Sequence, residues 1–261
     1  MHGWLWVMHG FGLFRAVPAF WLLLLLFYWL LLVLVGALPM LGPLLATMLI
    51  PGLSAGFMAA CHAAQQKRPP LPAQLLSPLR ANARPQLGLG LAYVAGLAIA
   101  MAVPALIDGG ALFRVMVRGE RMTQEAMLAA GMLISAPLAA VLYAPLMLAF
   151  WFAPALCLWH GMAPAKALFF SFFAGMRNLR AFLVYGLAWL FFAGVIPFVA
   201  ALLFALVLPK RGESAALVAF ILAPYMLVVA CAMLCSFYSS YIAIFGSPQD
   251  VAAGKPPEPP V

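Results

Sequence analysis

Six stretches of this 261-residue chain are apolar for long enough to cross a lipid bilayer as helices. They run near residues 19–36, 39–64, 87–107, 126–159, 182–208 and 215–245. A hydrocarbon core of about 30 Å takes roughly 20 helical residues. No water is present there to satisfy backbone N–H and C=O groups, so a spanning segment must close its own hydrogen bonds. The runs are continuously apolar, whereas barrel strands alternate in polarity and extend over only about 9–11 residues. Composition closes the other routes. Hydrophobic residues make up 67% and charged residues 8%, against roughly 45–50% and about 25% in soluble domains. So few charges cannot wet a surface, and disordered chains are poor in apolar residues. Four cysteines without framework spacing exclude a disulfide scaffold. The expected fold class is all-α: a polytopic membrane helical bundle with six transmembrane helices and cytoplasmic interfacial helices.

The first run reads as a retained span rather than a signal peptide. It exceeds the usual apolar core, only Arg15 precedes it as fixed charge, and Ala37-Leu38-Pro39 is no cleavage site. Residues 1–18 carry Trp4, Trp6, Phe11 and Phe14, and such aromatics favour the headgroup level, so an N-terminal interfacial segment is expected. A six-span membrane domain, 19–245, follows it. The fourth run, at 126–159, contains Pro137, Pro145 and Pro154 but no polar turn; it reads as one long tilted or kinked helix. The tail, 246–261, is Pro-rich and expected to be disordered.

Orientation follows from Lys and Arg alone. With six spans the termini share a side. That side holds nine cations: Arg15, Lys67, Arg68, Arg80, Arg84, Lys166, Arg177, Arg180 and Lys255. The other holds five: Arg114, Arg118, Arg121, Lys210 and Arg211. Both termini are expected in the cytoplasm, with the protein in a bacterial inner membrane.

A weak parallel internal repeat, with units of about 39–107 and 135–208, accompanies this topology. Asn82-x-Arg84 precedes Leu87, Gly90, Leu91, Ala92 and Tyr93; Asn178-x-Arg180 precedes Leu183, Gly186, Leu187, Ala188 and Trp189. The offset is 96 throughout. Each unit has a span ending in His62 or His160, then a basic linker. In the second linker Phe169, Phe172, Phe173 and Met176 recur at helical spacing, with Lys166 and Arg177 off that stripe. This is an amphipathic helix suited to the headgroup plane. Lys67, Arg68, Arg80, Arg84, Lys166, Arg177 and Arg180 are the candidate contacts to anionic lipid headgroups. The same residues also serve simply as a topology signal. Asn82 and Asn178 are expected to cap the helices that follow them.

Catalytic chemistry lacks its residues. None of the six acids lies inside a span, whereas ion-coupled carriers place ionisable groups at membrane depth. The segment 108–125 mixes Asp108, Glu120 and Glu125 with arginines and reads as a solvated face. Walker, dinucleotide-binding, H-E-x-x-H and nucleophile-elbow motifs are all missing. Cys61, His62, Cys157 and His160 would supply zinc ligands if the two helix ends met, but helix dipoles also favour His at such ends. No cofactor or metal is therefore assigned, no enzyme activity is expected, and no nucleic-acid binding. The small residues Gly52 and Gly56, Ala92, Gly96 and Ala100, and Ala136, Ala140 and Ala144 form stripes that permit close packing of the second to fourth spans, or a homodimer.

The segments Gly3-Trp4-x-Trp6, Gly10-Phe11-x-Leu13-Phe14-x-x-x-Pro18 and Pro154-Ala-Leu…Ala167-Leu…Ser171 resemble an uncharacterised proteobacterial family of multi-pass integral membrane proteins. That likeness implies a membrane protein of this length and supplies no site residues. The layout is similar, more distantly, to the membrane domain fused to some bacterial glycerophosphodiester phosphodiesterases, without the catalytic residues of that enzyme. Two functions stay open: envelope organisation or scaffolding of a membrane partner, and binding or passage of a lipid or other apolar substrate between the two units.

Overall fold

The structure, a computed structural model, describes residues 2–207 and 214–249. Helix α1 (His2–Ala16) leads into α2 (Pro18–Gly36) and α3 (Gly42–Gln65). The first linker holds a tight turn at Pro72–Leu76 and the short α4 (Ser77–Ala81). Then come α5 (Ala83–Asp108), α6 (Ala111–Arg118), α7 (Gln124–Ala129) and α8 (Met132–His160). The second linker is α9 (Pro164–Arg177), followed by α10 (Leu179–Leu190), a π-helical segment at Phe191–Val195, α11 (Ile196–Val207) and α12 (Ser214–Phe245). Among the described residues there is no strand, and six helical segments are long and apolar enough to cross a membrane.

The spans lie close to where the apolar runs place them, with one informative shift. The fourth begins at Met132 instead of 126, because Gly131 takes a left-handed backbone (φ 75°) and separates α7 from α8. From there α8 runs 29 residues without a break through Pro137, Pro145 and Pro154, or about 44 Å at 1.5 Å per residue. The tail from residue 250 and the residues 208–213 lie outside the described part.

Buried side chains concentrate where α3, α8 and α12 finish and α5 and α10 begin. Phe57, Cys61, Phe152, Leu156, Tyr238 and Tyr241 are all there. Both linkers close this end, here called the basic end. Toward the opposite end the helices bury little; none of residues 26–36, 196–204 or 217–228 is buried. In a bilayer such exposed leucines and phenylalanines meet acyl chains as apolar as themselves.

Helix α1, the segment expected at the interface, is packed into the bundle. Its buried residues Gly3, Val7, Gly10 and Phe14 recur every three or four positions, which puts them on one helical face. A side chain on Gly3 would collide with the backbone of Ala181 and Tyr185 in α10. One on Gly10 would collide with Ala232 and Ser236 in α12. Trp6 accordingly packs edge-on against Phe182 at 5.4 Å, and Phe11 against Phe192 at 5.3 Å. These two aromatics are spent on protein contacts.

Candidate functional site at the basic end

Two linkers seat on two spans in mirror-image chemistry. In the first unit the span supplies the small residues. Gly52 faces the Leu79 side chain, and Gly56 faces the backbone of Leu75. In the second the linker supplies them: Gly175 of α9 faces the Leu148 side chain of α8. Four turns of α9 thus dock through Ala167, Ser171 and Gly175, all buried. Ser171 also enters the helix ladder of α8. Its hydroxyl accepts from Phe152 N–H at 2.9 Å and donates to the Leu148 carbonyl at 2.8 Å. Each pair in one unit has its counterpart 96 positions on: Gly52 and Leu79 against Leu148 and Gly175, Gly56 and Leu75 against Phe152 and Ser171.

The small-residue stripes are used only partly as expected. The Gly52 and Gly56 groove receives a linker, not a span. Close approach between spans comes from Gly90, which abuts the Met48 carbonyl of α3, and from Gly96, which meets Leu146 of α8. Ala136, Ala140 and Ala144 face outward.

Asn82 and Asn178 stand at the junctions expected of them, each just before α5 or α10, but neither side chain caps the helix that follows. Both donate instead. The Asn82 amide reaches the carbonyls of Cys157 and Leu158 at 3.3 and 3.4 Å, and the Asn178 amide reaches Ala174 at 2.9 Å. The Cys157 and Leu158 carbonyls lie in the last turn of α8, where they have no partner within the helix; the Ala174 carbonyl also accepts from Asn178 N–H at 3.2 Å. One turn further on, buried Gln86 donates to the Pro154 carbonyl at 2.9 Å, so the first turns of α5 are stapled to the last turns of α8.

The histidines are spent on α12. His62 Nδ1 donates to the Tyr238 hydroxyl at 2.8 Å, Tyr238 donates to Gln65 Oε1 at 2.8 Å, and the Gln66 amide donates to His62 Nε2 at 2.9 Å. With the two glutamine amides oriented as they are here, these roles satisfy all four groups with a neutral ring. His160 Nε2 pairs with the Tyr241 hydroxyl at 2.9 Å, and Trp159 packs between the two pairs, 4.8 Å from Tyr241 and 6.0 Å from His62. Cys61 lies buried beside Cys235. Cys61, His62, Cys157 and His160 do not converge; among the described residues no three His, Cys, Asp or Glu are arranged to hold a metal ion.

Lys67, Arg68, Arg80, Arg84, Lys166, Arg177 and Arg180 are all exposed. Among the described residues the one ion pair, Arg114 with Glu120 at 3.4 Å, is in the loop at the far end of α5 and α8. That segment departs from the expected solvated face at one acid, since Glu120 and Glu125 are exposed. Asp108 is buried, and its carboxylate accepts from Gly110 N–H at 2.8 Å and Leu112 N–H at 3.1 Å, capping α6. The spacing Asp108-Gly109-Gly110 before an amphipathic run carries that signal in the sequence.

A probable inner membrane protein of Burkholderia thailandensis is 37% identical to this chain over 262 aligned positions, covering 98% of the chain and 94% of that protein. No protein-family model matches the chain, and no solved structure does.

Proposed function

This chain belongs to the family of the Burkholderia thailandensis protein, and we propose that it serves in the bacterial inner membrane as a non-catalytic scaffold, its basic end held against anionic headgroups. The observation that carries this reading is electrostatic. Seven exposed cations stand on the two linkers and in the first turns of α5 and α10, while the described acids Asp108, Glu120 and Glu125 all lie at the other end. Their counter-charge must come from outside the described chain. Anionic lipid supplies it at about 1 kcal/mol for each Lys or Arg near the surface. Positive residues collect on the cytoplasmic side of membrane proteins, which supports a cytoplasmic position for both termini. The partner is a second membrane protein or a second copy of this chain, joined at the same end.

A photo-crosslinking residue at exposed Ala73 or Ala165 tests the scaffold. Reproducible capture of a membrane protein, or of a second copy, is the expected result. A lone monomer that carries no anionic lipid after gentle solubilisation contradicts it.

A second reading, binding or passage of a lipid between the two units, is favoured by one observation. The arm made of α11 and the first half of α12 buries none of its described side chains through 196–204 and 217–228, and it joins the bundle through the π-helical segment, a feature common at functional sites. Lipid transfer between proteoliposomes measures this directly, and no transfer above protein-free vesicles would end it.

A further inference from the structure

We propose that helix α9 alone is the element of the basic end seated in an anionic phospholipid headgroup layer, and that the first linker is a structural plug. The inference rests on the basic-end reading and narrows it to one helix.

The mirror-image docking of the two linkers decides between them. The first turns its large side chains inward: Leu75 is fully buried over Gly56, and Leu79 sits over Gly52. Leu71 is left as its one large exposed apolar side chain. Helix α9 does the reverse. Its small face, Ala167, Ser171 and Gly175, is against α8, so its aromatic face is turned away from the protein. Phe169 is 58% exposed, Phe170 42% and Phe173 48%. Phe169 and Phe173 lie side by side at 4.6 Å. A row of phenylalanines gains nothing in water but is favourable where headgroups meet acyl chains.

The charges stand where that depth needs them. Lys166 and Arg177 are eleven residues apart, about three helical turns, and so share one strip of the exposed face, between the directions of Phe173 and Phe170 near the two ends of the helix. Arg180 follows at the start of α10. Lys166 Nζ is 5.9 Å from the Phe170 ring centre, its stem lying along the apolar face with the ammonium free to reach up to phosphate. No described carboxylate competes, since the described acids are at the other end. Aromatic rows in the boundary layer and unpaired cations at its rim match a phospholipid with a negative headgroup and long acyl chains.

The experiment uses the purified full chain and native mass spectrometry with phosphatidylglycerol, each variant first checked for wild-type helicity and monodisperse elution. Lys166→Gln/Arg177→Gln/Arg180→Gln should weaken phosphatidylglycerol binding by roughly a hundredfold. Lys67→Gln/Arg68→Gln/Arg80→Gln removes the same charge from the first linker and should change it less than about twofold on this account. Phe169→Ser/Phe173→Ser keeps every charge and should still weaken the long-chain lipid severalfold, while leaving soluble glycerophosphate unaffected. Equal losses in both triple variants, or no effect of the phenylalanine pair, would overturn the assignment to α9. No loss in either triple variant would overturn the basic-end reading itself.

Discussion

The Tyr225 hydroxyl of α12 donates to the Phe192 carbonyl of the preceding span at 2.6 Å. The reason lies five residues on. In the π-helical register Ile196 N–H bonds to the Phe191 carbonyl, and the next residue should serve Phe192 likewise, but it is Pro197 and has no N–H. Tyr225 fills the gap from a neighbouring helix, as freed carbonyls in membrane helices require. Tyr225→Phe should therefore lower stability by about 1–3 kcal/mol, the cost of a carbonyl left unmet away from water. In a Pro197→Ala background the same change should cost less, because the backbone regains its donor. Denaturation of all four proteins of the cycle gives the coupling; strict additivity would show that the carbonyl has another partner.

A graded result is expected at the linker groove. At Gly56 a methyl group meets the backbone of Leu75, which cannot step aside; at Gly52 it meets the tip of the Leu79 side chain, which can. Gly56→Ala should cost about 1–3 kcal/mol, the range for overpacking, and Gly52→Ala less. Leu79→Ala should recover part of the Gly52→Ala loss and none of the Gly56→Ala loss. Thermal unfolding in detergent checks the order.

The asparagines offer a test by chemical character. A residue that caps a following helix accepts a hydrogen bond, and Asp does this as well as Asn. Asn82 and Asn178 donate to carbonyls, and a carboxylate cannot donate. Asn82→Asp and Asn178→Asp should each destabilise more than the matching Ala variant, which should cost about 0.5–1.5 kcal/mol for a lost hydrogen bond. If Asp matches Asn in unfolding measurements, the side chains cap α5 and α10 after all.

These cases show which parts of the molecule are legible in one sequence. The spans are, because bilayer thickness turns apolar length directly into topology, and even the uninterrupted α8 follows from the lack of a polar turn near Tyr143. The break at Gly131 is not, since it lies within an apolar run and depends on one backbone angle. Helix α1 is half-legible: Gly3 and Gly10 have the spacing of a docking face, but their partners in α10 and α12 lie more than 170 residues away. Asn82 and Asn178 are legible as junctions and illegible as donors, because local sequence does not reveal that α8 ends beside α5. The Ser171 hydroxyl within the α8 ladder, and the tyrosines that occupy His62 and His160, depend wholly on tertiary packing. The seven cations of the basic end are plain in the sequence; that α9 turns its phenylalanines outward while the first linker turns its leucines inward is not.

In the proposed orientation the basic end faces the cytoplasm. Single cysteines at Gln124, Ala73 and Ala165, all at exposed positions, test it in a chain whose four buried cysteines, Cys61, Cys157, Cys231 and Cys235, are replaced by Ala. A membrane-impermeant thiol reagent applied to intact spheroplasts should modify Gln124→Cys at once, and should reach Ala73→Cys and Ala165→Cys only after the membrane is opened. Immediate labelling at 73 and 165 with protection at 124 would invert the molecule and remove the anionic cytoplasmic leaflet as the partner of its basic end.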